Sequence, residues 1–208
     1  MGDGLRARKK ARTRDAIAAA ATALFLERGF DAVSVAEVAA TADVSKMTVF
    51  NYFPTKEDLV MHQIDDADAA ARTVRGRTSG ESPVAALRRG FLADLAARDP
   101  GSGLSADEHF LAFRRMVVST PGLRLRLGDL QLRAAARLAE AFAEVLGGAE
   151  LTARVAASQV IAVRQELVQY NFDRVSAGRT PDEVYPEAVA AAEQGFDLLE
   201  RGLGAVFA

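Results

Sequence analysis

The stretch 44-VSKMTVFNYFPTKEDL-59 decides how the rest of the chain is read. Ser45 can cap the first turn of a helix with its hydroxyl, and Val44 and Val49 stand in the two positions of a hydrophobic staple. Pro54 closes that helix, and 55-TKED-58 opens the next, with Thr55 as the cap and Asp58 three residues on. Within the helix between them, Val49 and Phe53 are four apart and face a core. That register turns Lys46, Met47, Thr48, Asn51 and Tyr52 outward. Phe50 and Phe53 are read as core aromatics.

Just upstream, 34-SVAE-37 is a capping box with Val33 and Val38 as its staple, so another helix starts at Ser34. Gly29, after Glu27 and Arg28, reads as the left-handed stop of the first helix, with Phe30 placed for the accompanying apolar contact. Ile17, Ala21, Leu24 and Phe25 give that first helix one apolar face. Between Ala42 and Ser45 only Asp43 and Val44 remain, so two helices must turn sharply into one another, which is helix-turn-helix spacing. The second helix of such a pair reads DNA. Lys46 and Met47 lie at the end that enters the major groove, Thr48 and Asn51 suit a base edge or a phosphate, and Tyr52 and Lys56 suit the flanking backbone. The N–H groups at the start of the helix from Thr55 add a phosphate seat beside Lys56.

Composition agrees. The chain has 208 residues, half of them hydrophobic, with straight-chain helix formers dominant and no convincing alternating strand, so an all-α protein is expected. The formal charge is only -2, but residues 1–14 carry six basic side chains against one acidic. A basic arm with Arg8, Lys9, Lys10 and Arg12 is thereby offered to a polyanion, an unstructured solubilising tail being the alternative. The segment 6-RARKKARTR-14 followed by 16-AIAAAATALFL-26 imitates a secretory signal, but Asp15, Glu27 and Arg28 interrupt it and the run falls below the ~18 apolar residues of a membrane span. No membrane association is expected. There is no cysteine, hence no disulfide or thiolate site, and a reducing cytoplasm suits the chain. His62 and His109 stand apart with no ligand spacing, so no metal and no cofactor is expected. Asp65, Asp66 and Asp68 read as a solvated helix face, and no nucleophile or dinucleotide motif appears, so no enzyme is expected.

Loop signals at 29–34, 43–45, 53–55, 76–83, 99–103, 119–122, 147–150 and 178–181 divide the chain into about nine helices. One of these, from Thr55 to about Val74, is expected to run from a small first unit into a larger bundle. The domains are set at 1–57 and 58–208. In the bundle, Phe110, Phe113 and Met116, with Gln165, Gln169 and Tyr170, are the candidate lining of a small-molecule pocket. The last two helices carry Val160, Val163 and Leu167, then Val189, Phe196, Leu199 and Leu203. The box 180-TPDE-183 starts the final one, and Pro186 is expected to kink or restart it.

The string 34-SVAEVAATADVSKMTVFNYFPTKEDLV-60, preceded by the helix ending at Arg28-Gly29-Phe30, resembles the DNA-binding domain of the TetR family of bacterial transcriptional regulators. The resemblance implies groove-facing roles for Lys46, Met47, Thr48 and Asn51 and phosphate contacts for Ser34, Tyr52 and Lys56. It implies a homodimer through the last two helices on double-stranded DNA with a palindromic operator, released by a small, largely apolar effector. Asp43 stands where relatives usually have glycine, a position that aspartate tolerates better than most residues. Ala36 stands where some relatives place a base-reading residue, and Phe50 replaces a tyrosine. Two other readings stay open: a helical ligand-binding or scaffold protein whose helix-turn-helix serves protein contact, and an enzyme using His109.

Overall fold

The computed structural model describes residues 2–203 and 206–207, with side chains from Ala7 onward. The described residues form ten α-helices and no strand: α1 Gly2–Arg28, α2 Val35–Thr41, α3 Lys46–Tyr52, α4 Lys56–Met61, α5 Ala69–Arg75, α6 Pro83–Ala96, α7 Glu108–Ser119, α8 Pro121–Val145, α9 Glu150–Ser176 and α10 Pro181–Leu203. A single 3-10 turn, Pro100–Ser102, lies between α6 and α7. Two compact units result: Met1–Asp65 with Ala112–Gly128, and Asp66–Leu111 with Asp129–Ala208.

In the first unit the helix boundaries follow local chemistry. Gly29 has φ 89° and its N–H reaches the Phe25 carbonyl at 2.9 Å, while the Phe25 and Phe30 rings pack 5.1 Å apart. Ser34, Ser45 and Thr55 cap α2, α3 and α4 through the N–H groups of Glu37, Thr48 and Asp58. Asp43 takes φ 52°, and the Val44 N–H then bonds the Ala39 carbonyl at 2.9 Å, which closes the turn between α2 and α3. Ile17, Ala21, Phe25, Val38, Val49, Phe53 and Leu59 are buried together, each large one contributing about 1.5–3 kcal/mol relative to exposure.

The expected helix from Thr55 to Val74 is two helices. It stops at Met61 and resumes at Ala69. The reason lies in the acidic cluster read as a solvated face: Asp66 accepts the Arg72 guanidinium at 2.8 Å and also backbone N–H groups of Asp68 and Ala69, so its carboxylate organises a new helix start. Residues 112–128 complete the first unit. There the Arg126 guanidinium holds the Asp58 carboxylate at 2.6 and 2.9 Å, and Gly122 leaves room for the Glu57 side chain.

In the second unit α10 packs along both α6 and α9. Leu87, Phe91, Leu95, Leu138, Phe142, Val160, Phe196 and Leu199 form its core. Val160, Leu167, Phe196, Leu199 and Leu203 are therefore buried within the subunit and are not free to form an outer face. Arg88 on α6 ties α10 through Glu193, Asp197 and Glu200. Thr180 and Glu183 form the reciprocal cap expected at the start of α10, and the helix continues through Pro186 without a break. The turn at 99–105 is fixed on α9: the Asn171 amide donates to the Ser102 carbonyl at 2.9 Å. Gly103, with φ 78°, lies so close to the Val168 carbonyl that a Cβ there would overlap it.

Candidate DNA-binding surface

The reading surface is built outward from two buried anchors. Val49 and Phe53 are 0% and 1% exposed, and they fix the rotation of α3 against the first unit. Lys46, Met47 and Asn51 consequently face solvent, with Met47 70% exposed, while Thr48 and Tyr52 are half-buried. Phe50, expected in the core, is 40% exposed and lies under the Lys46 ammonium at 5.8 Å. The aromatic stripe suggested burial, but only the i, i+4 pair meets the core, and Phe50 turns out beside Met47 and Lys46. It is the residue that sequence reading left out of this surface. The signal that could have found it was its one-residue offset from Val49.

Several expected donors are already occupied. The Ser34 hydroxyl and N–H both donate to the Glu37 carboxylate at 2.8 Å, and Glu37 also takes Arg28 at 2.7 Å. Those contacts, the Ser34 backbone first, hold the Glu37 pKa down at about 2. The Thr48 hydroxyl lies 2.8 Å from that of Ser45, so one of its bonding positions is used inside the cap. At the start of α4, Thr55 and Asp58 satisfy each other's N–H groups. Lys56 is differently placed: its ammonium sits 4.4 Å from the Phe30 ring centre and 5.6 Å from that of Phe25, half-buried but with no carboxylate partner among the described residues. Ring faces hold the stem and leave the donors free.

Burial works against the Asp58 carboxylate, yet the Thr55 hydroxyl, the Arg126 guanidinium and the Thr55 N–H outweigh it and keep its pKa below the usual value. Asp58 thus serves two elements, the α4 cap and α8. The basic segment is the leading part of α1, with Arg8, Lys9, Lys10 and Arg12 all exposed. At 100° per residue they span about 200° of the helix surface, with Arg8 and Arg12 together on one face. Arg14, at the end of that segment, stacks over Phe53 at 5.4 Å and joins it to the C-terminal end of α3.

The candidate pocket residues are distributed over both units. Phe113 and Met116 belong to the first unit, whereas Phe110, Gln165, Gln169 and Tyr170 belong to the second. Gln169 bonds Asp173 at 2.6 Å, and Arg174 lies over the Tyr170 ring. No group of three or more His, Cys, Asp or Glu among the described residues could hold a metal ion, and no described helix is long and apolar enough to cross a membrane.

A capped tri-helical head with an exposed, partly basic second helix defines a helix-turn-helix protein. Residues 17–62 match the family model described as bacterial regulatory proteins, tetR family. The transcriptional regulator TcmR of Streptomyces glaucescens is 37% identical over 127 residues, covering 59% of this chain and 55% of TcmR. The chain thus matches about half the length of that relative. Among solved structures, NalD of Pseudomonas aeruginosa, described as the secondary repressor of the MexAB-OprM multidrug efflux pump, superposes with a TM-score of 0.56 at 20% identity, covering 90% of this chain and 97% of NalD. A TetR-family regulator from Streptomyces coelicolor gives 0.54 at 22% identity, covering 90% of this chain and 96% of that one. These likenesses show the fold.

Proposed function

We propose that the chain is a transcriptional repressor that binds a palindromic operator as a homodimer and leaves it when a small molecule occupies the second unit. The observation that carries this reading is α3, a helix fixed by Val49 and Phe53 that presents Lys46, Met47, Phe50 and Asn51 together. Asn51 can bond an adenine edge, Lys46 a guanine or a phosphate, and Met47 and Phe50 can meet thymine methyl groups. Lys56 and the basic start of α1 supply phosphate contacts, which position the helix without reading sequence.

Dimerisation uses the outward faces of α9 and α10. Leu151, Val155 and Leu198 are exposed apolar side chains on these helices, at 74%, 49% and 63%. Isologous burial of such a patch is the ordinary route to a two-fold dimer, and two-fold symmetry matches a palindrome.

Exposed Met47 and Phe50 also favour a second reading, in which the helix-turn-helix contacts another protein. Fluorescence anisotropy separates the two. The purified chain, titrated into labelled duplexes from the upstream region of its own gene, should bind one of them at least a hundredfold tighter than a shuffled duplex at the same salt. Equal affinities for both would leave only the protein-contact reading.

A further inference from the structure

Arg164 on α9 stands apart from the other half-buried arginines of the second unit. Arg88, Arg98 and Arg179 hold carboxylates, Arg77 holds two backbone carbonyls, and Arg174 holds both Glu187 and the Tyr170 carbonyl. Arg164 forms no hydrogen bond and no ion pair among the described residues, and its cation rests over the Phe91 ring at 5.4 Å. It is half-buried, and burial lowers its pKa while Asp94 opposes that shift. Asp94, on α6 three residues after Phe91, is itself pushed up by burial. The five donors of Arg164 therefore have no protein acceptor among the described residues, and the half-buried side chain keeps them within reach of solvent or of a bound group. One further group on the same face of α9 is also incomplete. Asn171, seven residues and so ~10 Å along the axis from Arg164, is 1% exposed and gives its amide to Ser102, but its Oδ1 has no partner among the described residues. The surroundings of this stripe are apolar: Phe91, Leu104, Val160 and Leu167 are buried there.

We propose that Arg164 is the anchor for a carboxylate on the effector, with the apolar body of that molecule lying along the α9 face toward Asn171, whose Oδ1 accepts from a hydroxyl or amide N–H at its far end. This rests on the ligand-responsive reading above and replaces a largely apolar effector by an amphipathic organic acid. The planar fork matches a carboxylate with two parallel bonds, a stronger pairing than any neutral acceptor provides. Asp94 neutralises part of the field without filling the fork. It also selects against dianionic groups such as phosphate monoesters, because a second negative charge would lie near its own.

Octanoate, decanoate and 2-naphthoate, each paired with its primary amide, test this by titration calorimetry on the full chain without DNA. At least one acid should bind tenfold or more tightly than its amide, and Arg164→Gln should erase that preference while leaving helicity and DNA affinity unchanged. Arg164→Lys, which keeps the charge without the fork, should retain a reduced preference. Equal binding of acid and amide would overturn the proposal. So would a preference that survives in Arg164→Gln, or the failure of all three acids to bind at millimolar concentration. Loss of sequence-specific DNA binding would instead count against the repressor reading, and the calorimetry does not depend on it.

Discussion

At the scale of single residues, the surface separates side chains that are free from those already used. Lys56 is held by ring faces, since Phe25 and Phe30 support its stem and its ammonium meets no carboxylate among the described residues. Replacing it with methionine keeps the packing and removes the charge. Lys56→Met should weaken binding to operator and random DNA by similar factors and lower the slope of log affinity against log salt by about one unit. An unchanged slope would remove Lys56 from the phosphate contacts. Glu37 is used. Its folded pKa, at about 2, lies below the ordinary glutamate value of 4.5, so its contribution to stability is present above the unfolded value and is lost as the pH falls from 4.5 toward 2. Acid denaturation followed by circular dichroism should therefore show a shallower loss over that window in Glu37→Gln than in the parent. Parallel curves would mean that the capping box does not carry the acid sensitivity.

At the scale of elements, helix starts were legible because each depends on side chains within four residues. Ser34, Ser45 and Thr55 cap in the structure as their spacing implied, and Asp43 accepts the left-handed turn position. The break between α4 and α5 was not legible. Residues 62–68 keep a helical pattern of polarity, and what divides them is the capture of Arg72 by Asp66, a choice between two uses of the same carboxylate. Phe50 was misplaced for a similar reason: aromatic character suggested burial, whereas the rotation of α3 set by Val49 and Phe53 decided it. The Asp58 link to Arg126, 68 residues away, has no local signature at all.

Under the proposed ligand-responsive reading, the Asp58–Arg126 link is the contact through which α8 would bear on the α4 cap. Residues 121–128 of α8 belong to the first unit and the same helix continues to Val145 in the second. A ligand that favours a different position of α8 would act on the cap of α4 through Arg126. Because the Asp58 side chain is only 15% exposed, removing its partner should matter. Arg126→Ala should destabilise the first unit by about 1.5–3 kcal/mol, the usual worth of hydrogen bonds to a charged group, as read from urea unfolding. A change below about 0.5 kcal/mol, the range of ordinary surface substitutions, would show that the pair does not brace α4.

At the scale of the whole molecule, the last two helices were recognisable as long and apolar, but the sequence did not tell which apolar residues would be spent inside the subunit. Val160, Leu167, Phe196, Leu199 and Leu203 close the core, leaving Leu151, Val155 and Leu198 outside. An effector site has no sequence signature of its own: the candidate residues are single apolar and amide side chains without a motif, and none marks Arg164. Leu198→Glu should raise the dimer dissociation constant at least tenfold by sedimentation or light scattering, with the helix content unchanged, because a charge at this patch must be desolvated on association. A variant that remains fully dimeric at nanomolar concentration would place the interface elsewhere.

Selection from a pool of random duplexes, run in parallel on the parent chain and on Asn51→Ala, bears most directly on whether α3 reads DNA within a two-fold dimer. The parent should enrich an inverted repeat whose half-sites lie at the spacing of successive major grooves, ~34–36 Å, or a multiple of it. Asn51→Ala should keep the repeat and lose preference at one symmetry-related pair of positions, at a cost of ~1–3 kcal/mol per contact. Enrichment of no repeat, or of an identical motif by both proteins, would contradict it.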